Sequence, residues 1–119
     1  MVLRFLKSVG FALKGIMWFI KNERNAPIHL LATIAVISLG IYTQLNLTEW
    51  GFVVIAIGVV FAAEIFNTAI EKTVDVIFKE QHEKAGLIKD LSAGGVFICS
   101  LLAVAIGLIV FAPKIMIHF

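Results

Sequence analysis

Long apolar segments alternate with short charged ones along the chain. Segments 30–48 and 91–113 contain no charged residue, and segment 50–63 is apolar and continues into a stretch with regularly spaced polar residues. Because a membrane-spanning helix needs roughly 20 apolar residues, the pattern predicts three transmembrane helices. Their expected bounds are about 27–44, 50–77 and 88–112.

Cap and turn residues indicate where these helices begin and end. Asn25 can cap a helix and proline is favoured in the first helical turn, so the first span is predicted to begin near Pro27. Helical spacing in the second span persists to about Phe78. The connector 79–86 is expected to break the helix before Leu87 starts the third span.

The first 24 residues repeat with a helical period. Apolar residues between Leu3 and Ile20 share one face of this helix. The opposite face carries the basic residues Arg4, Lys7, Lys14 and Lys21. A basic amphipathic helix of this kind lies in the plane of the lipid headgroups. Residues 1–24 are therefore predicted to form a surface helix, because in a span the lysines would enter hydrocarbon.

Composition supports this membrane assignment. Apolar side chains make up 61% of the 119 residues and charged ones only 15%, whereas charged residues approach a quarter of a soluble domain. A soluble core of this size could not bury so much apolar surface. We therefore predict one all-α integral membrane domain over residues 1–119, with a surface helix and three transmembrane helices.

Basic residues are distributed unevenly between the predicted loops. Five precede the first span and four lie between the second and the third. The link between the first and second spans has none, and the C-terminal end has only Lys114. The positive-inside rule then predicts a cytoplasmic N-terminus and second loop, and a C-terminus outside.

The second span carries a column of polar residues at its cytoplasmic end. On a helix, Glu71 and Asp75 each lie within about 20° of Glu64, and Asn67 and Thr68 flank them. A carboxylate at membrane depth costs roughly 2.5–3.5 kcal/mol on insertion scales, so the column should face protein, water or a bound cation. A network that only packs helices is the alternative, although one polar residue suffices for that purpose.

Depth suggests different chemistry for the members of this column. Glu64, one or two turns inside the apolar zone, suits a general base. The shallower Glu71 suits Mg²⁺, which takes oxygen ligands and keeps several waters. Glu23 and the pair Lys89-Asp90 are expected at the same membrane level. Carboxylates for a metal and a lysine for anionic charge are typical of phosphoryl transfer, and neither a P-loop nor a Rossmann fingerprint is present.

A resemblance to a known family rests on residues of the second and third spans. They are Glu64, Asn67, Ala69, Glu71 and Asp75 in the pattern EXXNXAXEXXXD, followed by Lys89-Asp90 and Ala93-Gly94. Together they resemble the signature of the prokaryotic diacylglycerol kinase family, and the likeness covers nearly the whole chain. It implies a homotrimeric enzyme of the bacterial cell (inner) membrane that uses Mg²⁺ and transfers the γ-phosphate of ATP to a lipid hydroxyl.

The same resemblance implies a role for each matching position. Glu64 resembles the general base, and Glu23 and Glu71 resemble the metal-binding pair. The nucleotide contacts implied are Glu23, Asn67, Glu71, Lys89 and Asp90. Further candidate contacts of substrate or nucleotide are Lys14, His29 and Asp75. Three spans alone would leave the polar column facing lipid, so active sites shared between subunits are expected.

The family contains branches with different lipid acceptors. Features of this chain that are similar to the undecaprenol kinase branch are the segment Glu23-Arg24-Asn25 followed by His29, together with His82 and the ending Phe111-Ala-Pro113-Lys114. They favour undecaprenol as the acceptor. Diacylglycerol, with phosphatidic acid as the product, stays open as the alternative.

Two other classes of protein also fit an intramembrane glutamate. One is a small proton-coupled transporter, which would need its carboxylate near the bilayer midplane and would leave Lys89-Asp90 unexplained. The other is a purely structural membrane subunit. The expected partners are a lipid substrate, MgATP, the membrane and further copies of the chain, without nucleic acid.

Overall fold

The computed structural model describes all 119 residues and consists of helices joined by short turns. In chain order these are α1 (Val2–Asn22), α2 (Ala26–Tyr42), α3 (Leu47–Ile77) and α4 (Glu83–His118). The all-α prediction is confirmed. The molecule is elongated and measures 55 × 42 × 22 Å.

Helices α3 and α4 form the main packing unit. They run antiparallel, since an ion pair between Asp75 and Lys89 joins one end (2.7 Å) and an ion pair between Glu49 and Lys114 joins the other (3.2 Å). A small apolar core lies toward the second of these ends. It consists of Leu45, Val53, Val110 and Phe111. Helix α2 touches α3 only lightly, which leaves space between them.

Two of the helices, α3 and α4, are long and apolar enough to cross a membrane. Helix α2 has 17 residues, or about 26 Å at 1.5 Å per residue, somewhat less than a hydrocarbon core of about 30 Å. Helices α1 and α2 meet at a bend of 100°, and if the bent pair is counted as one span the total is three. Two to three spans are therefore supported, and a full crossing by α2 stays a prediction.

The observed ends of α4 differ from the expected ones. The helix begins at Glu83, because the His82 imidazole accepts a hydrogen bond from the Lys84 backbone N–H (3.0 Å) and so caps the first turn. It also continues through Pro113 to His118. Proline removes one backbone donor but fits a helix that bends or relaxes locally. At α2, Asn25 occupies the N-cap position without a side-chain cap bond, and Pro27 lies in the first turn.

A tight turn connects α2 to α3. Gln44 adopts a left-handed conformation (φ 57°), and the Leu45 N–H donates to the Gly40 carbonyl (3.1 Å) to close the end of α2. Asn46 and Glu49 then form a capping box with two hydrogen bonds of 2.9 Å. The turn needs few residues because both helix ends satisfy their own backbone groups.

A single copy of the chain has little interior. Only 12 of 119 residues are buried, and most large apolar side chains on all four helices are exposed. Such extensive apolar surface would aggregate in water. It belongs in contact with lipid or with other copies of the chain, as expected for a membrane protein.

The close approach of Gly40 to Trp50 provides a test of this packing. A Cβ at residue 40 would lie 2.6 Å from the indole ring, so Gly40→Ala should lower the free energy of unfolding by about 1–3 kcal/mol. Unfolding in detergent micelles, followed by circular dichroism, would measure the change. Gly51→Ala is the matched control, because nothing lies within 4 Å of a Cβ there. Equal stabilities of Gly40→Ala and wild type would contradict this packing.

Candidate active site

The scaffold of the site is the C-terminal half of α3, an unbroken helix of 31 residues. Its helical repeat brings Glu64, Asn67 and Glu71 to one side, as the sequence predicts. The Asn67 Nδ2 donates to Glu71 Oε1 at 3.4 Å, which links two members of the column directly. The column is therefore a real feature of one continuous helix.

Glu64 is the buried member of the column, with a relative exposure of 8%. Its Oε1 lies 2.8 Å from Nε2 of His29, at the start of α2. The Phe61 ring meets the imidazole edge-on, with centroids 6.0 Å apart. A carboxylate at this depth needs a polar partner, and the chain supplies one from a neighbouring helix.

Asn67 has one polar atom without a partner. Its Nδ2 is engaged with Glu71, while its Oδ1 is buried and accepts no hydrogen bond within the chain. Exchanging the two amide atoms would place oxygen against oxygen, so the Glu71 contact fixes the orientation. A buried acceptor without a partner is rare in proteins, so this oxygen has an unused capacity for a hydrogen bond.

An open polar cleft lies where α3 ends and α4 begins. Its volume is about 630 Å³, and its walls include Asp75, Lys89 and the connecting residues between the two helices. The Lys89 ammonium donates to Asp75 Oδ1 at 2.7 Å, and both side chains are well exposed. The rings of Phe78 and His82 lie 5.1 Å apart beside them. The cleft therefore offers a positive charge and an aromatic surface to a ligand that arrives from water.

Helix α1 lies across the same part of α3. The Lys72 ammonium sits 5.2 Å from the Trp18 ring centroid, close enough for a cation–π attraction. Phe19 of α1 and Thr68 of α3 are both buried and line one small crevice between the two helices. The N-terminal helix thus helps to enclose the column.

The residues singled out in the sequence separate into two groups. Three pairs come together: His29 with Glu64, Asn67 with Glu71, and Asp75 with Lys89. The remaining candidates make no hydrogen bond or ion pair with any of these residues. They are Glu23, which is half-buried, the exposed Asp90, and Lys14, whose ammonium lies 5.7 Å from the Phe11 ring centroid.

Glu23, Glu71, Lys89 and Asp90, which were expected at one membrane level, make no hydrogen bond or ion pair with one another within a single chain. No group of three or more histidine, cysteine or acidic side chains is close enough to hold a metal. Lys89 pairs with Asp75, one helical turn beyond Glu71. The expectation that the whole column would face lipid in one copy was wrong for Glu64, because His29 and the neighbouring helices cover it.

Two features of the site were not predicted. The His29–Glu64 pair joins residues 35 positions apart, and no spacing rule along one helix reveals such a contact. The aromatic wall of the cleft was also missed, although Phe78 and His82 are four residues apart and flank the break between α3 and α4. The position of the break between the two helices could have predicted this aromatic pair.

Comparison with known proteins identifies the family of this chain. Residues 10–111 match the sequence model of the family described as prokaryotic diacylglycerol kinase. The chain belongs to the prokaryotic diacylglycerol kinase family. The chain is 39% identical to the undecaprenol kinase of Bacillus subtilis over 112 residues, which cover 94% of this chain and 91% of that protein.

Other relatives in this family are named for a different lipid. The chain is 28% identical over 101 residues to the diacylglycerol kinase of Escherichia coli K12, covering 85% of this chain and 83% of that one. It is 29% identical over 112 residues to the diacylglycerol kinase of Synechocystis, covering 93% and 64% of the two chains.

As a prokaryotic diacylglycerol kinase family member, this chain is a lipid kinase with a nucleotide co-substrate. The transporter and structural-subunit alternatives lose their support.

Proposed function

We propose that this protein transfers the γ-phosphate of MgATP to the hydroxyl of undecaprenol. The observation that carries the proposal is that the polar column on α3 begins at the buried Glu64 and ends at the exposed Asp75–Lys89 pair beside the polar cleft. One end suits a lipid hydroxyl and the other a water-soluble nucleotide. The choice of undecaprenol is supported by the 39% identity to an undecaprenol kinase.

Glu64 is the general base in this proposal. Its carboxylate takes the proton of the lipid hydroxyl while the hydroxyl oxygen attacks the γ-phosphorus. A new oxygen–phosphorus bond forms, the bond to the β-phosphate oxygen breaks, and ADP leaves. Glu64 suits this role because it is the column's buried carboxylate, held at the depth where a lipid alcohol can arrive.

Glu71 and Glu23 are proposed to hold Mg²⁺ together with the phosphates of the nucleotide. Magnesium in kinases is bound by one or two carboxylates, substrate phosphates and water, so the lack of a larger cluster fits this mode. The unpartnered Oδ1 of Asn67 next to Glu71 supports a ligand at this position. When bound, Mg²⁺ neutralises phosphate charge.

The open cleft is proposed as the nucleotide site. Lys89 can release Asp75 and contact phosphate, since an ion pair exposed to water is weak. Asp90, on the next residue of α4, is proposed as a further nucleotide contact. Lys14 and Asp75 remain candidate contacts through their positions on α1 and at the cleft.

We also propose a homotrimer with shared active sites in the bacterial inner membrane. Support comes from the scarcity of buried residues in one copy and from Glu23 and Asp90, which find no partner within the chain. The small residues Ala93 and Gly94 leave one face of α4 open for close helix packing. The orientation has a cytoplasmic N-terminus and an external C-terminus, which the distribution of basic residues supports.

The acceptor is tested by offering both lipids to purified protein in mixed micelles with Mg²⁺ and radiolabelled ATP. Undecaprenol should be phosphorylated at least tenfold more efficiently, by kcat/KM, than diacylglycerol. A preference for diacylglycerol would overturn the acceptor and leave the mechanism standing. Transfer to neither lipid by folded protein would overturn the proposed function.

Two glutamine substitutions separate the base from the metal ligand. Glu64→Gln should lower kcat by about 10²–10⁴-fold with MgATP binding unchanged, because the carboxamide has the same shape but cannot take the proton. Glu71→Gln should instead weaken MgATP binding. Nucleotide binding measured by fluorescence and turnover measured in micelles give the two readouts, and equal loss of nucleotide binding in both variants would refute this division.

Lys89→Met should raise the KM for MgATP, because the cleft loses its positive charge, and Lys89→Arg should restore most of the affinity. The free energy of unfolding should change little, since the broken ion pair is exposed to water. Lys114→Met is the matched control, as it breaks the ion pair at the other end of the same helix. If both methionine variants changed the KM equally, the cleft would not be the nucleotide site.

A further inference from the structure

We propose that His29 is a positioning residue that orients Glu64 for the lipid hydroxyl, an inference that rests on the proposed role of Glu64 as the base. Its foundation is the 2.8 Å contact between His29 Nε2 and Glu64 Oε1. His29 is otherwise a candidate contact of substrate or nucleotide. The observed geometry gives it a partner within the protein instead.

The direction of this hydrogen bond follows from chemistry. A general base must be ionised before the reaction, and an ionised carboxylate can only accept hydrogen bonds. Nε2 of His29 therefore carries the hydrogen and donates it to Oε1. That leaves Oε2 of Glu64 free, and the chain supplies no hydrogen-bond donor to it. One oxygen is thus held by the protein and the other is available for the proton of the alcohol.

The imidazole is itself held in place. The Phe61 ring packs edge-on against it, with ring centroids 6.0 Å apart and an interplanar angle of 61°. The His29 backbone is fixed as well, because its N–H donates to the Asn25 carbonyl in the first turn of α2 (3.2 Å). The histidine and glutamate side chains are 21% and 10% exposed. A partly buried donor with a fixed ring restricts the glutamate rotamer better than water could, since water is free to reorient.

The surroundings explain why the carboxylate needs this particular neighbour. A cavity of about 160 Å³ lies between α2, α3 and α4, and ten of its thirteen lining residues are hydrophobic. His29 lines this cavity and Glu64 does not. The imidazole therefore separates the carboxylate from an apolar space that offers no hydrogen bonds. Without it, the Glu64 side chain would be free to turn.

The test compares three variants of the full-length protein in the micelle assay. His29→Phe keeps a ring against Phe61 but removes the donor, and should lower kcat by about 10- to 100-fold with the KM for MgATP unchanged. His29→Gln can place an N–H near the position of Nε2 and should recover most of the rate. Thr33→Val, one turn along the same helix, should behave as wild type, since the Thr33 hydroxyl bonds only to the His29 backbone carbonyl.

Recovery by glutamine separates positioning from other roles. If His29 were a proton carrier, glutamine would be as inactive as phenylalanine. If it contacted the lipid or the nucleotide, the KM for that substrate would rise while kcat held. Either result, or wild-type kcat in His29→Phe, would overturn the inference while Glu64→Gln stayed inactive. An inactive wild type would instead overturn the proposed function, and this inference with it.

A spectroscopic measurement covers the case in which His29→Phe does not fold. The chain has only three histidines, so ring ¹⁵N resonances of the wild-type protein can be assigned with His29→Gln and with variants of the other two. His29 should carry its hydrogen on Nε2 throughout the pH range of activity. A neutral ring with the hydrogen on Nδ1 alone would overturn the inference, because Nε2 could then not donate to Glu64.

Discussion

The cost of placing a carboxylate inside an apolar helix constrains the rest of this structure. Glu64 is buried on α3, a helix long and apolar enough to cross a membrane, and an unpaired charge in such surroundings is unfavourable by several kcal/mol. A histidine from α2 pairs with this carboxylate, the Phe61 ring packs against the histidine, and neighbouring helices cover the carboxylate. The bend between α1 and α2 allows this, because it lets α2 start beside the middle of α3.

The column on α3 divides the chemistry by depth. At the buried end, Glu64 pairs with His29, whose ring lines an apolar cavity. At the exposed end, Asp75 and Lys89 meet an open polar cleft. Asn67 and Glu71 connect the two levels by a hydrogen bond. A lipid alcohol can therefore approach from the apolar end while a nucleotide approaches from the water-exposed end. This separation is the physical basis of the proposed kinase chemistry.

A single copy explains only part of the site. Its apolar faces are mostly open, and Glu23 and Asp90 have no partner within the chain. Helix pairing in lipid depends on close packing and on polar contacts between helices. Unpaired acidic side chains near open helix faces are consistent with a site completed by neighbouring copies, as we propose.

The sequence by itself determined the helical class, the membrane setting, the family and the column on α3. The family follows from the resemblance of the motif on α3 and α4 to a known signature. The other three depend on composition and on a repeat within one helix, so local periodicity specifies them. Tertiary structure alone decided that His29 pairs with Glu64, that Lys89 turns to Asp75 and that Phe78 and His82 face each other at the cleft. The first two contacts join separate helices, and the third depends on where α3 stops. Their geometry is fixed by helix packing and chain reversal, which a one-dimensional pattern does not encode.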